Sequence, residues 1–171
     1  DWAFLSYDLR NSIKSWKTDV QQGGGALSFY FSHAFYYLEY FLGRIKNIQC
    51  KLFSSEKSLN KGETSMNMTM LFESGCIGNV NMDISYSGQQ KHTIEFFAEG
   101  GKIILKNISD SFVDNFELTV DTGQKIQKIT PDNTLDISRD ELEDQRVKII
   151  KPIAERFINW CNTGVEAKPD F

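Results

Sequence analysis

His33 is the side chain in this sequence whose type and surroundings best suit proton transfer. An imidazole has an unperturbed pKa of about 6.5, so it can accept and return a proton near neutral pH. It lies in a strongly aromatic segment, residues 26–42, directly after the glycines at positions 23–25. A lone histidine on an aromatic helix is more often a hydrogen-bonded core residue than a catalytic base. The residues alone therefore leave both interpretations open.

The element that would carry His33 is predicted to be a helix over residues 26–42. Three consecutive glycines cannot continue a regular element cheaply, so Gly23, Gly24 and Gly25 mark a sharp entry into this helix. Gly43 is suited to end the helix as a C-terminal cap. Upstream of the glycines, residues 3–9 are predicted to form a strand and residues 11–22 a polar segment.

Residues 45–130 change to short runs of period two separated by turn residues, which is typical of strands. In residues 66–72, three methionines and a phenylalanine share one face of the strand, and polar side chains occupy most of the other. Hairpins are predicted across residues 99–101 and 121–123. Ser138 is predicted to cap a last helix that Gly164 ends. The predicted fold is α+β: one mainly antiparallel, open-faced sheet of about six to eight strands, with two long helices packed on one face.

Bulk composition excludes several classes of function. The 171 residues suit one domain, and the net charge of -4 with scattered lysines and arginines argues against nucleic acid. Residues 26–42 are too short and too often interrupted by polar side chains to span a membrane. Three widely spaced cysteines without a CxxC pair indicate reduced, mostly buried thiols in a cytoplasmic protein. With two histidines besides, no metal site is expected.

The segment at residues 23–43 reads GGGALSFYFSHAFYYLEYFLG. It resembles the signature GGGxLxDxGxHxxDxxxxLxG in the second domain of the Gfo/Idh/MocA (glucose-fructose oxidoreductase/inositol dehydrogenase) family. Further similarities occur in the same order at residues 16–19, 94–103 and 152–171. The resemblance thus extends over nearly the whole chain, and the segment around His33 is its specific part.

The resemblance implies that residues 1–171 are a single C-terminal domain for substrate binding and oligomerisation. A Rossmann domain would precede Asp1, and a last helix would follow Phe171; both are expected to lie outside this sequence. The parent protein would use NAD or NADP to oxidise a hydroxyl of a sugar, sugar derivative or cyclitol. The chain itself contains no GxGxxG or Walker A motif, so it is expected to bind no dinucleotide and to be inactive alone.

The resemblance also implies site residues. His33 matches the catalytic histidine. Substrate contacts are predicted for Trp16, Lys17, Asp19, Tyr30, Tyr36 and Tyr37. For the tyrosines the alternative is core packing with a satisfied hydroxyl, and for the residues before the glycines it is a solvated loop.

The sequence departs from the family at three positions beside His33. Phe29 and Tyr36 replace aspartates, and Phe31 replaces a glycine. On an α-helix, positions i-4 and i+3 flank His33, so aromatic rings stand where carboxylates would orient the imidazole. Because an imidazolium in apolar surroundings is disfavoured, a second function remains open: a non-catalytic binding or association module that kept the fold.

The sheet face opposite the helices is the predicted partner surface. It carries the polar side chains Asn67, Thr69, Asn79, Asn81 and Asp83, with Leu71 and Ile77 between them. In the resembling family such mixed faces pack against another subunit, which implies a homo-oligomer through the open sheet. The other implied partner is a small carbohydrate-like substrate; neither nucleic acid nor a membrane is expected.

Overall fold

The computed structural model of this chain describes residues 1–56, 58, 61–109, 115–129 and 147–166. The chain divides into two compact units, residues 1–128 and residues 129–171. Each unit is described by itself.

Within the described residues, eight strands form one open sheet in the order β2-β3-β4-β1-β5-β6-β7-β8. The strands are β1 (Trp2–Ala3), β2 (Ile45–Phe53), β3 (Ser65–Phe72), β4 (Ile77–Asp83), β5 (Lys91–Ala98), β6 (Gly101–Asn107), β7 (Glu117–Asp121) and β8 (Ile126–Ile129). The helices are α1 (Tyr7–Arg10), a π-helix (Ala26–Phe31), α2 (Ser32–Leu42) and α3 (Val147–Thr163), with short 3₁₀ helices at Trp16–Thr18 and Val20–Gln22. The predicted α+β class with one open, mainly antiparallel sheet is confirmed.

Strand β3 shows why the sheet has one covered face. Met66, Met68, Met70 and Phe72 are each 1–3% exposed, whereas the residues between them are exposed. Phe31 from the π-helix and Ala34 from α2 belong to the same buried cluster. The period-two pattern therefore predicted this strand and its buried face correctly.

The first strand is much shorter than predicted. Only residues 2–3 of the chain form it, pairing parallel with β4 and antiparallel with β5, so that Trp2 lies between Met82 and His92. Beyond Ala3, only Leu5 makes a further, isolated bridge, with Ser85, and the predicted strand over residues 3–9 is wrong from Tyr7, where α1 begins. After the Ser6 N–H bonds to the Ile84 carbonyl, the Arg10 N–H bonds back to Ser6 and closes a helical turn.

The helix over residues 26–42 is present but is not α-helical throughout. Its first six residues are π-helical, and the Ser32 N–H bonds to the Leu27 carbonyl, five residues back. The α-helix begins only at Ser32. Gly43 has φ +85° and donates its N–H to the Glu39 carbonyl, which confirms the predicted C-terminal cap.

The two predicted hairpins and the predicted end of the last helix are confirmed. β5 and β6 pair across the turn at Gly100, and β7 and β8 are neighbours in the sheet. In the second unit, α3 ends before Gly164, which has φ +71° and bonds its N–H to the Trp160 carbonyl. The predicted cap at Ser138 lies outside the described residues.

The cysteines differ from expectation in burial. Cys50, Cys76 and Cys161 are all free, but Cys50 and Cys161 are exposed and Cys76 is only half-buried. The prediction of mostly buried thiols is wrong for Cys50 because edge strand β2 is exposed along nearly its whole length. Within the part of the chain that the structure describes, no helix is long and apolar enough to cross a membrane.

Candidate functional site

The glycine loop that precedes the helix is held between two tight contacts. A Cβ on Gly24 would lie 2.3 Å from the Trp16 carbonyl oxygen, and a Cβ on Gly25 would lie 2.3 Å from the Glu63 carboxyl group. Gly25 also has φ +130°, a conformation that side chains rarely allow. Both positions require glycine, because the Trp16 backbone and the Glu63 carboxyl group lie where their Cβ atoms would be.

The segment before the glycines is an ordered loop. The Ser15 hydroxyl donates to the buried Asp8 carboxylate and accepts from the Lys17 N–H at 3.2 Å. Asp19 accepts from the Gln21 N–H and from the Gln22 side chain, both at 2.9 Å. Both oxygens of Asp19 are therefore used within its own loop.

Trp16, Lys17 and Phe29 form a cluster at the start of the helix. The Trp16 ring meets the Phe29 ring edge-on with centroids 5.0 Å apart. The Lys17 ammonium lies 5.3 Å from the centroid of the Phe29 ring, within the range of a cation–π interaction. Trp16 is 51% exposed, so the cluster presents an aromatic surface next to a positive charge.

His33 is exposed on α2, which makes its imidazole accessible to another molecule. A buried core histidine is therefore not what the structure shows. Tyr36, one α-helical turn further, is 67% exposed. Phe29 lies in the wider π-helical turn, so its expected i-4 relation to His33 does not have α-helical geometry.

Tyr30 and Tyr37 pack against the core instead of standing beside His33. The Tyr30 ring contacts Phe4 and Phe29, with centroids 5.3 and 4.7 Å away. Burial raises the pKa of Tyr30, while the Ser6 hydroxyl opposes this rise. Burial alone raises the pKa of Tyr37 to about 12, so both phenols remain protonated near neutral pH.

Glu63 is a residue of this site that sequence reasoning missed. It is 8% exposed and lies just before β3, with its carboxylate against the glycine loop. Its carboxylate accepts the Leu27 N–H at 3.1 Å, and its backbone carbonyl accepts the Ala26 N–H at 2.9 Å. A single glutamate between a glycine and a threonine forms no recognisable motif, so no pattern could have indicated this role.

The described residues do not fit a dinucleotide at the glycine loop. The N–H groups at a helix start could receive a phosphate, but here the Glu63 carboxylate receives the Leu27 N–H and fills the space beside Gly25. A phosphate would have to displace a buried negative charge. Nor do the described residues contain a group of three or more side chains that could hold a metal ion.

A sequence model of the GFO/IDH/MocA C-terminal domain matches residues 2–104 of this chain. No curated protein sequence matches it. Many solved structures share its fold.

Levoglucosan dehydrogenase in complex with NADH and L-sorbose has a TM-score of 0.70 and 16% identity, over 99% of this chain and 50% of that one. The aldose-aldose oxidoreductase from Caulobacter crescentus, complexed with glycerol, has a TM-score of 0.68 and 14% identity, over 96% and 44%. The WlbA dehydrogenase from Bordetella pertussis, in complex with NADH and UDP-GlcNAcA, has a TM-score of 0.64 and 14% identity, over 99% and 45%. At these identities the likeness concerns the fold, and this chain spans about half the length of those proteins.

Proposed function

This chain belongs to the GFO/IDH/MocA C-terminal domain family, and we propose that it is the substrate-binding half of an NAD(P)-dependent oxidoreductase. The substrate would be a sugar, a sugar derivative or a cyclitol that is oxidised at a hydroxyl. The observation that carries the proposal is the exposed His33 on the helix that the glycine loop begins. Structural neighbours named as dehydrogenases or oxidoreductases support the reaction class.

In the proposed reaction, His33 accepts the proton of the substrate hydroxyl. Its ring is accessible, and an imidazole can take up and return a proton near neutral pH. NAD or NADP, which would accept the hydride, would be bound by a part of the full-length protein outside this chain. The carboxylate of Glu63 at the glycine loop supports this division of labour.

Substrate contacts are proposed on both sides of His33 in the sequence. Trp16 offers an exposed aromatic surface against which a sugar ring can stack, and the Lys17 ammonium beside it can bind a hydroxyl or an anionic group. Tyr36 is exposed on the same helix and can donate a hydrogen bond. Asp19, Tyr30 and Tyr37 remain proposed contacts, although their observed interactions lie within the loop and the core.

Substitution of His33 in the full-length protein tests the proposal. We expect His33→Ala to lower turnover about a hundredfold, the usual effect of losing a positioned general base, with little change in stability. Tyr36→Phe should cost less, since it removes only one hydroxyl. Tyr40→Ala removes another exposed aromatic ring further along α2 and is the matched control. Undiminished turnover in His33→Ala would end the catalytic interpretation.

Restoring a carboxylate is a sharper test. If the site still admits substrate, Phe29→Asp should raise turnover by returning the acidic group of the family signature. If Phe29 serves only to pack against Trp16 and Lys17, placing a carboxylate at this half-buried position should lower the stability of the protein without raising turnover.

The second candidate function is a non-catalytic binding or association module. Its supporting observation is that the half-buried Phe29 ring contacts Trp16, Lys17 and Tyr30, as the ring of a structural residue would. The sequence encoded upstream of Asp1 discriminates between the two. A strand followed by GxGxxG and, later, a Glu-Lys-Pro motif would favour the enzyme; an unrelated segment would favour the module.

We also propose that this chain alone neither binds NAD(P) nor turns over substrate. Its lack of a dinucleotide fingerprint supports this, together with the carboxylate that occupies the start of the helix. Calorimetric titration of the chain with oxidised and reduced NAD and NADP should show no heat of binding. Micromolar binding of any of the four would refute the proposal.

The open face of the sheet is proposed to join subunits into a homo-oligomer. It carries the exposed apolar side chains Leu71, Ile77 and Phe97 among polar ones, a mixture suited to a non-obligate interface. Sedimentation at high micromolar concentration should show a dimer or a larger species. A strict monomer, or an Ile77→Asp variant that associates as well as the original, would contradict this use of the face.

The remaining proposals concern location and other partners. Three free cysteines support a cytoplasmic location, where thiols stay reduced. The net charge of -4 argues against a nucleic-acid partner, and we propose no membrane partner. Fractionation of cells that express the full-length protein would test the location.

A further inference from the structure

We infer that Glu63 is a positioning residue for the candidate site: it fixes the start of the helix that carries His33 and so sets the direction of the imidazole. The inference rests on the proposed function of His33. No side chain of the helix segment itself caps the π-helix. Glu63, which lies in the loop before β3, accepts the first two N–H groups of the π-helix, those of Ala26 and Leu27.

The contact of Glu63 with the helix is tight and leaves little freedom. Its carboxylate lies against Gly25, where a Cβ would come within 2.3 Å of three carboxyl atoms. Gly62, the residue before Glu63, lies so close to the Thr18 backbone that a Cβ on Gly62 would be 2.5 Å from the Thr18 carbonyl oxygen. The segment of Gly62 and Glu63 is therefore packed between the backbone at Thr18 and the glycine that precedes the helix.

Glu63 is in turn tied to the sheet by its neighbour Thr64. The Thr64 N–H bonds to the Phe53 carbonyl at 2.8 Å, and the Thr64 carbonyl accepts the Ile84 N–H at 2.8 Å. The Thr64 hydroxyl also accepts the Ser55 N–H at 2.9 Å. Glu63 thus connects the rigid part of the fold to the first turn of the helix.

The helix is fixed at a second place, where Phe31 and Ala34 are buried in the core. The residues between the two fixed points form the π-helix, which holds more residues per turn than an α-helix. With both ends of this segment fixed, the wide turn determines how far α2 is rotated about its axis. His33 lies two residues after the π-helix, so its direction depends on the contact at Glu63.

The test compares Glu63→Ala with Glu63→Gln in the full-length protein. The alanine removes the acceptor of the Leu27 N–H, whereas glutamine keeps an acceptor oxygen in nearly the same shape. With leucine-selective ¹⁵N labelling, the Leu27 amide should exchange at least about tenfold faster in Glu63→Ala, as expected for one lost hydrogen bond, and near the original rate in Glu63→Gln. The NMR signal of the His33 ring should shift in the alanine variant only.

Kinetics separate positioning from general stability. If Glu63 orients the base, Glu63→Ala should lower kcat about tenfold or more with KM within about twofold, and Glu63→Gln should restore most of it. Asn107→Ala is the matched control, since Asn107 is another buried polar residue, 4% exposed, whose side chain accepts from Ser109 far along the chain. It should lower stability but leave kcat, the Leu27 exchange rate and the His33 signal unchanged.

Three results would overturn the inference: unaltered Leu27 exchange in Glu63→Ala, an unaltered His33 signal, or an equal loss of kcat in Asn107→Ala. Should Glu63→Ala fail to fold, Glu63→Gln decides, and a kcat below about a tenth of the original with Leu27 still protected would contradict it. If the original protein oxidises no sugar or cyclitol, the proposed function fails by itself. Leu27 exchange and the His33 ring signal would then still decide whether Glu63 positions the helix.

Discussion

The two faces of the sheet are built from the same strands but are stabilised in different ways. On the covered face, Met66 and Met70 are each 1% exposed and belong to the same buried cluster as Phe31 and Ala34. On the open face, Asn67 bonds to Asn81 at 2.7 Å, and Thr69 bonds to Asn79 at 3.0 Å, all in exposed positions. Burial of apolar area stabilises the first face, while the second contributes weakly until something covers it. The comparison can be tested by one substitution on each face.

Met70 is expected to give the largest effect. Removing a buried methionine side chain leaves a cavity in the core, so Met70→Ala should lower the free energy of unfolding by about 2–5 kcal/mol. Thr69→Ala, at the next position on the open face, should cost less than about 1 kcal/mol. Urea denaturation measures both. Equal losses would show that the two faces do not differ as proposed.

The glycine loop on the helix side is expected to come next. Gly24→Ala places a Cβ 2.3 Å from the Trp16 carbonyl, and since that obstacle is backbone, it cannot be relieved by rotating a side chain. We expect a loss of about 2–3 kcal/mol in the free energy of unfolding. Gly100→Ala is the control, because no atom lies within 4 Å of a Cβ there. A Gly24→Ala variant as stable as Gly100→Ala would contradict the packing described at the loop.

The difference between these regions also explains what the sequence could predict. The buried row of β3 was predictable because one strand face repeats every second residue, and packing acts on that repeat. The hairpin at Gly100 and the cap at Gly43 were predictable because glycine at a turn or helix end is a local signal. Such features depend on neighbours in sequence.

The rest depends on contacts between residues distant in sequence. Trp2 joins the sheet between β4 and β5 although nothing near it indicates this. The π-helix arises where a helix is fixed by Glu63 at one end and by the core at the other, and Glu63 is 36 residues from Leu27. In the site, the glycines and His33 could be recognised by resemblance. Core packing was an open alternative for the tyrosines, but the sequence could not tell that Tyr30 and Tyr37 pack against the core while Tyr36 stays exposed.

His92 lies on the covered face, in β5, and should make the free energy of unfolding depend on pH. Its ring stacks on Trp2 with centroids 4.8 Å apart, and burial lowers the pKa of His92 to about 4. The proton is therefore bound more strongly in the unfolded state. The resulting stabilisation is complete above pH 6.5 and is lost as the pH falls from about 6.5 to about 4.

We expect this loss to be about 1–2 kcal/mol, less than the full shift would give because the ring is partly exposed. His92→Phe keeps an aromatic ring against Trp2 but cannot be protonated. The difference in free energy of unfolding between pH 7 and pH 4.5 should therefore be smaller in the variant. The same difference in both proteins would show that His92 is not held neutral by the covered face.

The smallest effect is expected from the polar pairs of the open face. Thr69 and Asn79 stand directly opposite each other on β3 and β4, with their side chains hydrogen-bonded at 3.0 Å in solvent. A double-mutant cycle of Thr69→Ala and Asn79→Ala should give a coupling energy of about 0.2–1 kcal/mol at low protein concentration. Thr69→Ala combined with Asn107→Ala should be additive, because those residues lie in different hairpins.

If the open face joins two subunits as proposed, the coupling energy between Thr69 and Asn79 should grow at concentrations where the protein associates, since water then no longer competes for the bond. A coupling that is zero at low concentration would show that the pair is no more than solvated surface, and one that stays constant through association would argue that this part of the face remains in water.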